Sequence, residues 1–307
     1  MPQKKVEIVY SGILEGHKDA VYALVSGPSP NILFSAGGDG MIIRWDLANK
    51  GDGELVAQLP SAIYALQYFA DTNTMIAGTR FGGLYALDLN THKTQSLTHL
   101  KHDIFKLCSL PGKSLVAAAG AEGYIYMVQH QTLEIIQEIH PTNASCRALA
   151  LSPGGQQLAS GWSDGHIRVY ETGNFNEIQS FTAHLPSVFS LVYNATGDKL
   201  ISGGRDAQIR VWDVEQSYTE IKKIPAHLFT VNDLILIPEY NLLASASRDK
   251  TMKIWDESNF DLLKVIDRTK LPAHSHSVNK LLWTGYESSL VSAGDDKAIR
   301  IWGIFCG

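Results

Sequence analysis

Cysteine is scarce in this chain: Cys108, Cys146 and Cys306 are the only three among 307 residues. Three cannot build a disulfide framework, and an odd count suits a reducing compartment. Long apolar runs are also missing. No stretch approaches the roughly 18 residues of a membrane-spanning helix, and the first residues hold no apolar segment of signal-peptide length. Positive charge is not in excess: 26 Lys and Arg stand against 31 Asp and Glu, a net charge of −5. No general field therefore draws the chain to nucleic acid or to an anionic membrane, and any anion site must be a local patch. A sustained helical period is absent as well. These absences point to a soluble, cytoplasmic protein, in which the sequons at Asn143 and Asn194 carry no glycan. What remains is 45% hydrophobic and 19% charged, enough for a sizeable core and too apolar for wholesale disorder.

Repetition dominates the rest. Trp45-Asp46, Trp212-Asp213 and Trp255-Asp256 each close a short β-rich run, and degenerate copies end at Tyr170 and Trp302. Leu87 and Val128 fill the gaps, so seven anchors follow one another at intervals of 41 to 47 residues. Within each unit, strand-like runs such as residues 21–25 and 200–203 alternate with Gly, Pro and Asn clusters suited to tight turns. Each unit reads as four short strands. One such sheet cannot bury both its faces, whereas seven packed radially can.

The period and the Gly-His…Trp-Asp signature, seen at Gly16-His17 and Trp45-Asp46, resemble the WD40 family over essentially the whole chain. The resemblance implies an all-β fold: a seven-bladed WD40 β-propeller of four-stranded antiparallel blades, with residues 1–307 as one domain. In that family the outermost strand of a blade precedes the next Gly-His. The strand over 6–14 is therefore expected to complete blade seven and close the ring, removing two exposed edges.

The resemblance also implies a polar tetrad in which the indole N–H bonds a Ser hydroxyl, the Ser bonds His, and the His bonds Asp. Four sets match at constant offsets: His17/Ser35/Asp39/Trp45, His184/Ser202/Asp206/Trp212, His227/Ser245/Asp249/Trp255 and His274/Ser292/Asp296/Trp302. A Ser-His-Asp catalytic set uses the same residue types, but four identical copies read as structural glue. Blade four keeps Ser160 and Asp164 but has Thr142 and Tyr170. Blade three reads Leu100/Ala118/Glu122/Val128, and blade two Leu59/Ala77/Phe81/Leu87. Blades two to four are expected to be the looser arc.

Other motifs fail on context. Residues 161–165 match G-x-S-x-G, but the nucleophile elbow needs a strand-to-helix turn. Gly112-Lys113-Ser114 lacks the first P-loop glycine, since position 107 is Leu. His99 and His102 with Cys108 lack a second ligand pair. No catalytic residue, metal or cofactor is expected.

In the family, partners usually dock on the face at the narrow end of the channel. Projecting its offsets onto this chain gives Tyr22, Tyr64, Phe105, Arg147, Phe189, Asn232 and Asn279 from the first strands. The turns before the tetrad Asp add Arg80, Arg205 and Arg248, beside a longer loop carrying Arg268 and Lys270. Aromatic residues and Arg are the types enriched at protein–protein hot spots, and Arg suits bidentate capture of carboxylate or phosphate. The function expected is a non-enzymatic interaction scaffold that binds a protein or peptide, acidic or phosphorylated, through this face. Membrane and autonomous nucleic-acid binding are not expected. A subunit of a nucleic-acid-associated or other multiprotein complex, and a propeller enzyme, are the alternatives.

Overall fold

The computed structural model describes residues 4–49, 51–97, 100 and 102–307. Helical turns among these are limited to four three-residue 3-10 segments. Everything else of regular structure is strand, arranged as seven four-stranded antiparallel sheets. Contacts divide the chain into two compact units, one of residues 1–62 with 227–307 and one of residues 63–226.

The unit of residues 63–226 holds four sheets, each built by consecutive strands in chain order. Blade 2 comprises Ile63–Phe69, Thr74–Thr79, Leu84–Asp88 and Thr94–Leu97. Blade 3 comprises Ile104–Leu110, Leu115–Gly120, Ile125–Gln129 and Ile135–Ile139. Blade 4 comprises Cys146–Leu151, Gln157–Trp162, His166–Glu171 and Glu177–Thr182, and blade 5 Val188–Tyr193, Lys199–Gly204, Gln208–Asp213 and Thr219–Pro225.

The other unit holds three. Blade 1 comprises Val21–Ser26, Ile32–Gly37, Met41–Asp46 and Glu54–Gln58, and blade 6 Val231–Ile237, Leu242–Ser247, Met252–Asp256 and Leu262–Ile266. Blade 7 comprises Val278–Trp283, Ser289–Gly294, Ile299–Cys306 and, as its outermost strand, Val6–Leu14. That last strand runs antiparallel to Ile299–Cys306, from Val6 opposite Cys306 to Leu14 opposite Ile299, with a bulge between Tyr10 and Gly12. The expected completion of blade seven by residues 6–14 is thus present.

Burial grades across each sheet and accounts for its composition. Second strands are covered on both faces, so Leu115–Gly120, Leu242–Ser247 and Ser289–Gly294 are buried at every residue. Such strands read as near-continuous Leu, Val, Ala, Ser and Gly, because small side chains let neighbouring sheets approach. Fourth strands face solvent, and Thr219–Pro225 is exposed at nearly every position. The tight turn between second and third strands demands glycine in several blades. Gly82 and Gly123 have φ of +82° and +85°, and a Cβ there would run into the carbonyl oxygens of Leu100 and Thr142 respectively.

Candidate interaction site

The sheets are pinned by four hydrogen-bonded chains of side chains. In blade 1, Trp45 Nε1 donates to Ser35 Oγ (2.8 Å), His17 Nε2 lies 2.7 Å from that oxygen, and His17 Nδ1 lies 2.9 Å from Asp39. Blade 5 repeats the pattern at 2.9, 2.8 and 2.8 Å through Trp212, Ser202, His184 and Asp206. Blade 6 does so at 2.9, 2.8 and 2.9 Å through Trp255, Ser245, His227 and Asp249. Blade 7 has 2.9, 2.8 and 2.7 Å through Trp302, Ser292, His274 and Asp296. The aspartates also hold the turns: Asp39 accepts the Lys18 and Met41 amides, and Asp249 those of Leu228 and Thr251.

Burial sets the titration of these groups. It pushes the His227 and His274 imidazoles below the ordinary histidine value, more than their aspartates raise them. Burial alone would raise Asp249 and Asp296, yet the histidine contact and donated hydrogen bonds outweigh it and hold both carboxyls well below the usual range. Neutral imidazole therefore donates from Nδ1 to carboxylate and accepts the serine proton at Nε2 in these two blades.

Blade 4 departs from the sequence expectation. Its Ser160 accepts the indole N–H of Trp162 (2.7 Å), two residues along the same strand, and donates to Arg168 O (2.9 Å). Arg168 in turn lies over the Trp162 ring, 5.2 Å from its centroid, and pairs with Asp164 at 2.9 Å. The tryptophan lies on the second strand instead of the third, and the Arg168 guanidinium, not a histidine, meets the aspartate, while Ser160 bonds the Arg168 backbone. Blade 3 has no such set. Leu100, Ala118 and Val128 join one apolar cluster, while Glu122 meets His102 at 3.3 Å. Residue His99 lies outside the described residues, so the His99/His102 pair is not described.

Among the projected contact residues, those of blades 2 to 5 come together. Tyr64 and Phe105 rings lie 5.7 Å apart. The Arg147 guanidinium sits 4.7 Å from the Phe105 centroid and 5.3 Å from that of Phe189, and its Nε donates to Ser163 Oγ at 2.9 Å. Burial lowers the Arg147 pKa, and the nearby Arg205 guanidinium lowers it further, against the pull of Asp103. Tyr64 is raised by burial and Asp103, with Arg80 and Arg147 opposing. Arg80 lies over Phe81 at 4.7 Å. Arg80 and Arg205 are exposed, while Tyr64, Phe105, Arg147 and Phe189 are half-buried.

The projected residues of the other unit behave differently. Asn232 Nδ2 donates to Ser277 Oγ (2.9 Å) and Val278 O (2.8 Å), lacing blade 6 to blade 7. Asn279 Nδ2 donates to Asp295 (2.7 Å) and Val21 O (3.1 Å), lacing blade 7 to blade 1. Both amides are committed to the scaffold. Tyr22 is half-buried and Arg248 is exposed.

Some exposed residues escaped the sequence reading. Phe81 occupies the tetrad-Asp position of blade 2, has φ of +65° and is 71% exposed, its amide held by Asp103 at 2.8 Å. Leu228 and Phe229 follow the blade 6 histidine and are 84% and 58% exposed. An aromatic where the repeat wants an aspartate was the available signal for Phe81. Nothing in the repeat marks the other two.

Desolvation pushes up the thiols of the buried Cys146 and the half-buried Cys108, the latter to about 11, so neither is a nucleophile near neutrality. Among the described residues, no group of three or more His, Cys, Asp and Glu is placed to hold a metal ion. Among the described residues, no helix is long and apolar enough to cross a membrane.

Comparison with known proteins places this geometry. No curated protein matches the chain. Among solved structures, the crystal structure of the WD40 beta propeller domain of Doa1 superposes with a TM-score of 0.83 at 17% identity, covering 97% of each chain. The chain thus shares the seven-bladed propeller fold. The family model for the WD domain, G-beta repeat, matches residues 8–46, 133–171, 175–213, 218–256 and 267–303. The unmatched stretch, residues 47–132, holds all of blade 2 and the first three strands of blade 3, where the polar sets are lost. With the four tetrads and the five repeats in place, this chain belongs to the WD40 family.

Proposed function

We propose that this chain is a non-enzymatic interaction scaffold whose partner presents an acidic or phosphorylated segment to the cluster of Tyr64, Arg80, Phe105, Arg147, Phe189 and Arg205. WD40 propellers generally bind protein partners, and that coarser role is the starting point. The observation that carries the finer reading is the Arg147 guanidinium held between Phe105 and Phe189. An open cage of aromatic rings would take a cationic ligand. Here the cage is filled by the chain's own cation, so the attraction is left for an anion. Arg205, close enough to depress the Arg147 pKa, adds a second guanidinium, and two like charges in one place favour a ligand that neutralises both. The exposed Phe81 offers an apolar contact on the same unit. A cytoplasmic setting goes with this reading and is supported by three free cysteines.

The test is fluorescence anisotropy with three labelled peptides of one apolar frame, carrying glutamates, phosphoserines or lysines. The acidic or phosphorylated peptide is expected to bind the wild type, and Arg147→Ala/Arg205→Ala to weaken it by at least about tenfold, the equivalent of about 1.4 kcal/mol. Equal binding by the variant, or preference for the lysine peptide, would overturn the reading.

A further inference from the structure

A second surface lies on the outer strands of blade 3, and it stands out by what its repeat omits. In blades 4, 5 and 7 the carboxylate of the turn between second and third strands is met by an arginine four residues on. Arg168 lies 2.9 Å from Asp164, Arg210 3.6 Å from Asp206, and Arg300 2.9 Å from Asp296. Blade 6 has Lys253 at the same offset from Asp249. Blade 3 keeps an acid in that turn, Glu122, but carries Tyr126 where the cation belongs. From Ser114 to Cys146 the chain holds no Lys or Arg and three glutamates, Glu122, Glu134 and Glu138.

Aromatic rings take the place of the cation. Tyr124 and Tyr126, two apart on the third strand, stack with centroids 5.4 Å apart and planes 3° from parallel. Tyr124 also stacks on His102 at 5.4 Å and on His140 at 4.1 Å. Strand pairing sets Glu138 directly opposite Tyr126, so the two share one face of the sheet. Burial, then Glu138, Tyr124 and Glu122, push the Tyr126 phenol up to about 12. Glu122, Glu138 and His140 are exposed, and Tyr124 is half-buried. Glu122 meets His102 at 3.3 Å, which leaves acceptor positions on its carboxylate, and among the described residues no ion pair involves Glu138. The cations of blades 2 and 3 are engaged elsewhere: Arg80 lies over Phe81, Lys113 over Phe175, Lys93 by Asp88 and Lys106 by Cys108. Lys101 lies outside the described residues.

We propose that this face of blade 3 takes an arginine-bearing segment of a partner protein, its guanidinium groups pairing with Glu122 and Glu138 and lying against the Tyr124 and His140 rings. Charge complementarity selects the sign of the occupant, since the face carries carboxylates and no described cation answers them. The rings select arginine over lysine, because a planar guanidinium stacks on an aromatic face while giving paired N–H donors to a carboxylate. Blade 4 combines both contacts within one sheet, where Arg168 lies 5.2 Å from the Trp162 centroid and pairs with Asp164. A partner would bring to blade 3 from outside what blade 4 has within. The occupant is opposite in charge to that proposed for the Arg147 cluster, so the two surfaces are separable by peptide and by mutation.

The experiment uses the full chain and a fluorescein-labelled nine-residue peptide alternating arginine with glycine. Controls replace every arginine with citrulline, which keeps the shape without the charge, or with lysine, which keeps the charge without the plane. Saturable binding of the arginine peptide is expected, at least about tenfold weaker for either control and for Glu122→Gln/Glu138→Gln, and unchanged in Arg147→Ala/Arg205→Ala. Tyr126→Arg, which restores a cation at the offset used by the other blades, is expected to weaken binding by engaging Glu122 from within. In the wild type, the peptide is expected to shift the ring resonances of Tyr124 and His140 in NMR spectra, a readout that does not depend on any variant folding. No saturable binding, equal binding of either control peptide, undiminished binding by the Glu122/Glu138 variant, or unmoved ring resonances would overturn the proposal. Loss of binding in the Arg147 variant with retention in the Glu122/Glu138 variant would assign the peptide to the other cluster and also overturn it.

Discussion

Residue by residue, this protein repeats one solution to a chemical problem: how to bury an indole donor, a hydroxyl, an imidazole and a carboxylate together. Each donor finds an acceptor, so none of the four carries the cost of an unmade hydrogen bond. The linkage has a direction. His227 and His274 have folded pKa values below the 6.5 of an unperturbed histidine, so the unfolded chain takes up protons first as pH falls. Their stabilisation is complete above about pH 6.5 and is lost as pH drops through the folded values. The aspartates Asp249 and Asp296 are depressed as well, and their contribution, present above about pH 3.8, is lost at still lower pH. Urea denaturation at a series of pH values is expected to show stability falling in two stages, first below about pH 6.5 and again below about pH 4. A flat profile between pH 7 and 5 would contradict the neutral assignment of the two imidazoles. These sixteen residues were legible in the sequence because fixed spacing in the chain becomes fixed geometry in a repeated sheet. Asn232 and Asn279 were placed by the same spacing, yet spacing alone does not say which way an amide is turned. Both face the neighbouring sheet.

At the scale of the element, blade 4 is the informative case. Read at the tetrad offsets it lacks both its tryptophan and its histidine. The offsets miss Trp162 because a strand places residues two apart on one face, and Ser160 and Trp162 are two apart. The donor arrives along the strand instead of across from the next one. Trp162→Phe is expected to cost about 1–3 kcal/mol by removing the indole N–H while leaving the ring face beneath Arg168. It should also raise amide exchange in Gln157–Trp162 and His166–Glu171 toward that of blade 3. Thermal or urea unfolding with exchange mass spectrometry measures both. An unchanged midpoint would mean that Ser160 and Arg168 pin blade 4 without the indole. Blades 2 and 3 replace the polar set with Ala, Leu and Val, which pack without directional bonds. The expected looser arc therefore narrows to those two sheets, and the same two carry Tyr64, Arg80, Phe81 and Phe105. If hydrogen exchange is faster in blades 2 and 3 than in blades 5 to 7, low local stability and these side chains coincide, as is common for binding surfaces; equal or slower exchange there would contradict the expectation.

On the scale of the whole molecule, the number of sheets followed from the seven anchors, and the placement of residues 6–14 from one strand left over at the beginning of the chain. Removing residues 1–14 leaves Ile299–Cys306 as an edge and uncovers the sites of Val6 and Leu14, each only 2% exposed in the intact protein. The shortened chain is expected to melt at least several degrees lower and to elute partly as larger species on gel filtration. Unaltered melting and elution would show that the fourth strand of blade 7 is dispensable.

The pairing of Val6–Leu14 with Ile299–Cys306 also bears on synthesis. The two strands are separated by almost the whole of the 307-residue sequence. At about 5–20 residues per second, the first strand emerges from the ribosome about 15–60 s before its partner exists. Blades made of consecutive strands can form as they appear, whereas blade 7 waits until Ile299–Cys306 has been made. During that interval the nascent chain carries an unmatched β-strand with alternating apolar residues, the kind of segment that chaperones retain and that neighbouring chains on a polysome can capture. The nine-residue strand Val6–Leu14 thus has no partner in its own sheet until Ile299–Cys306 is made.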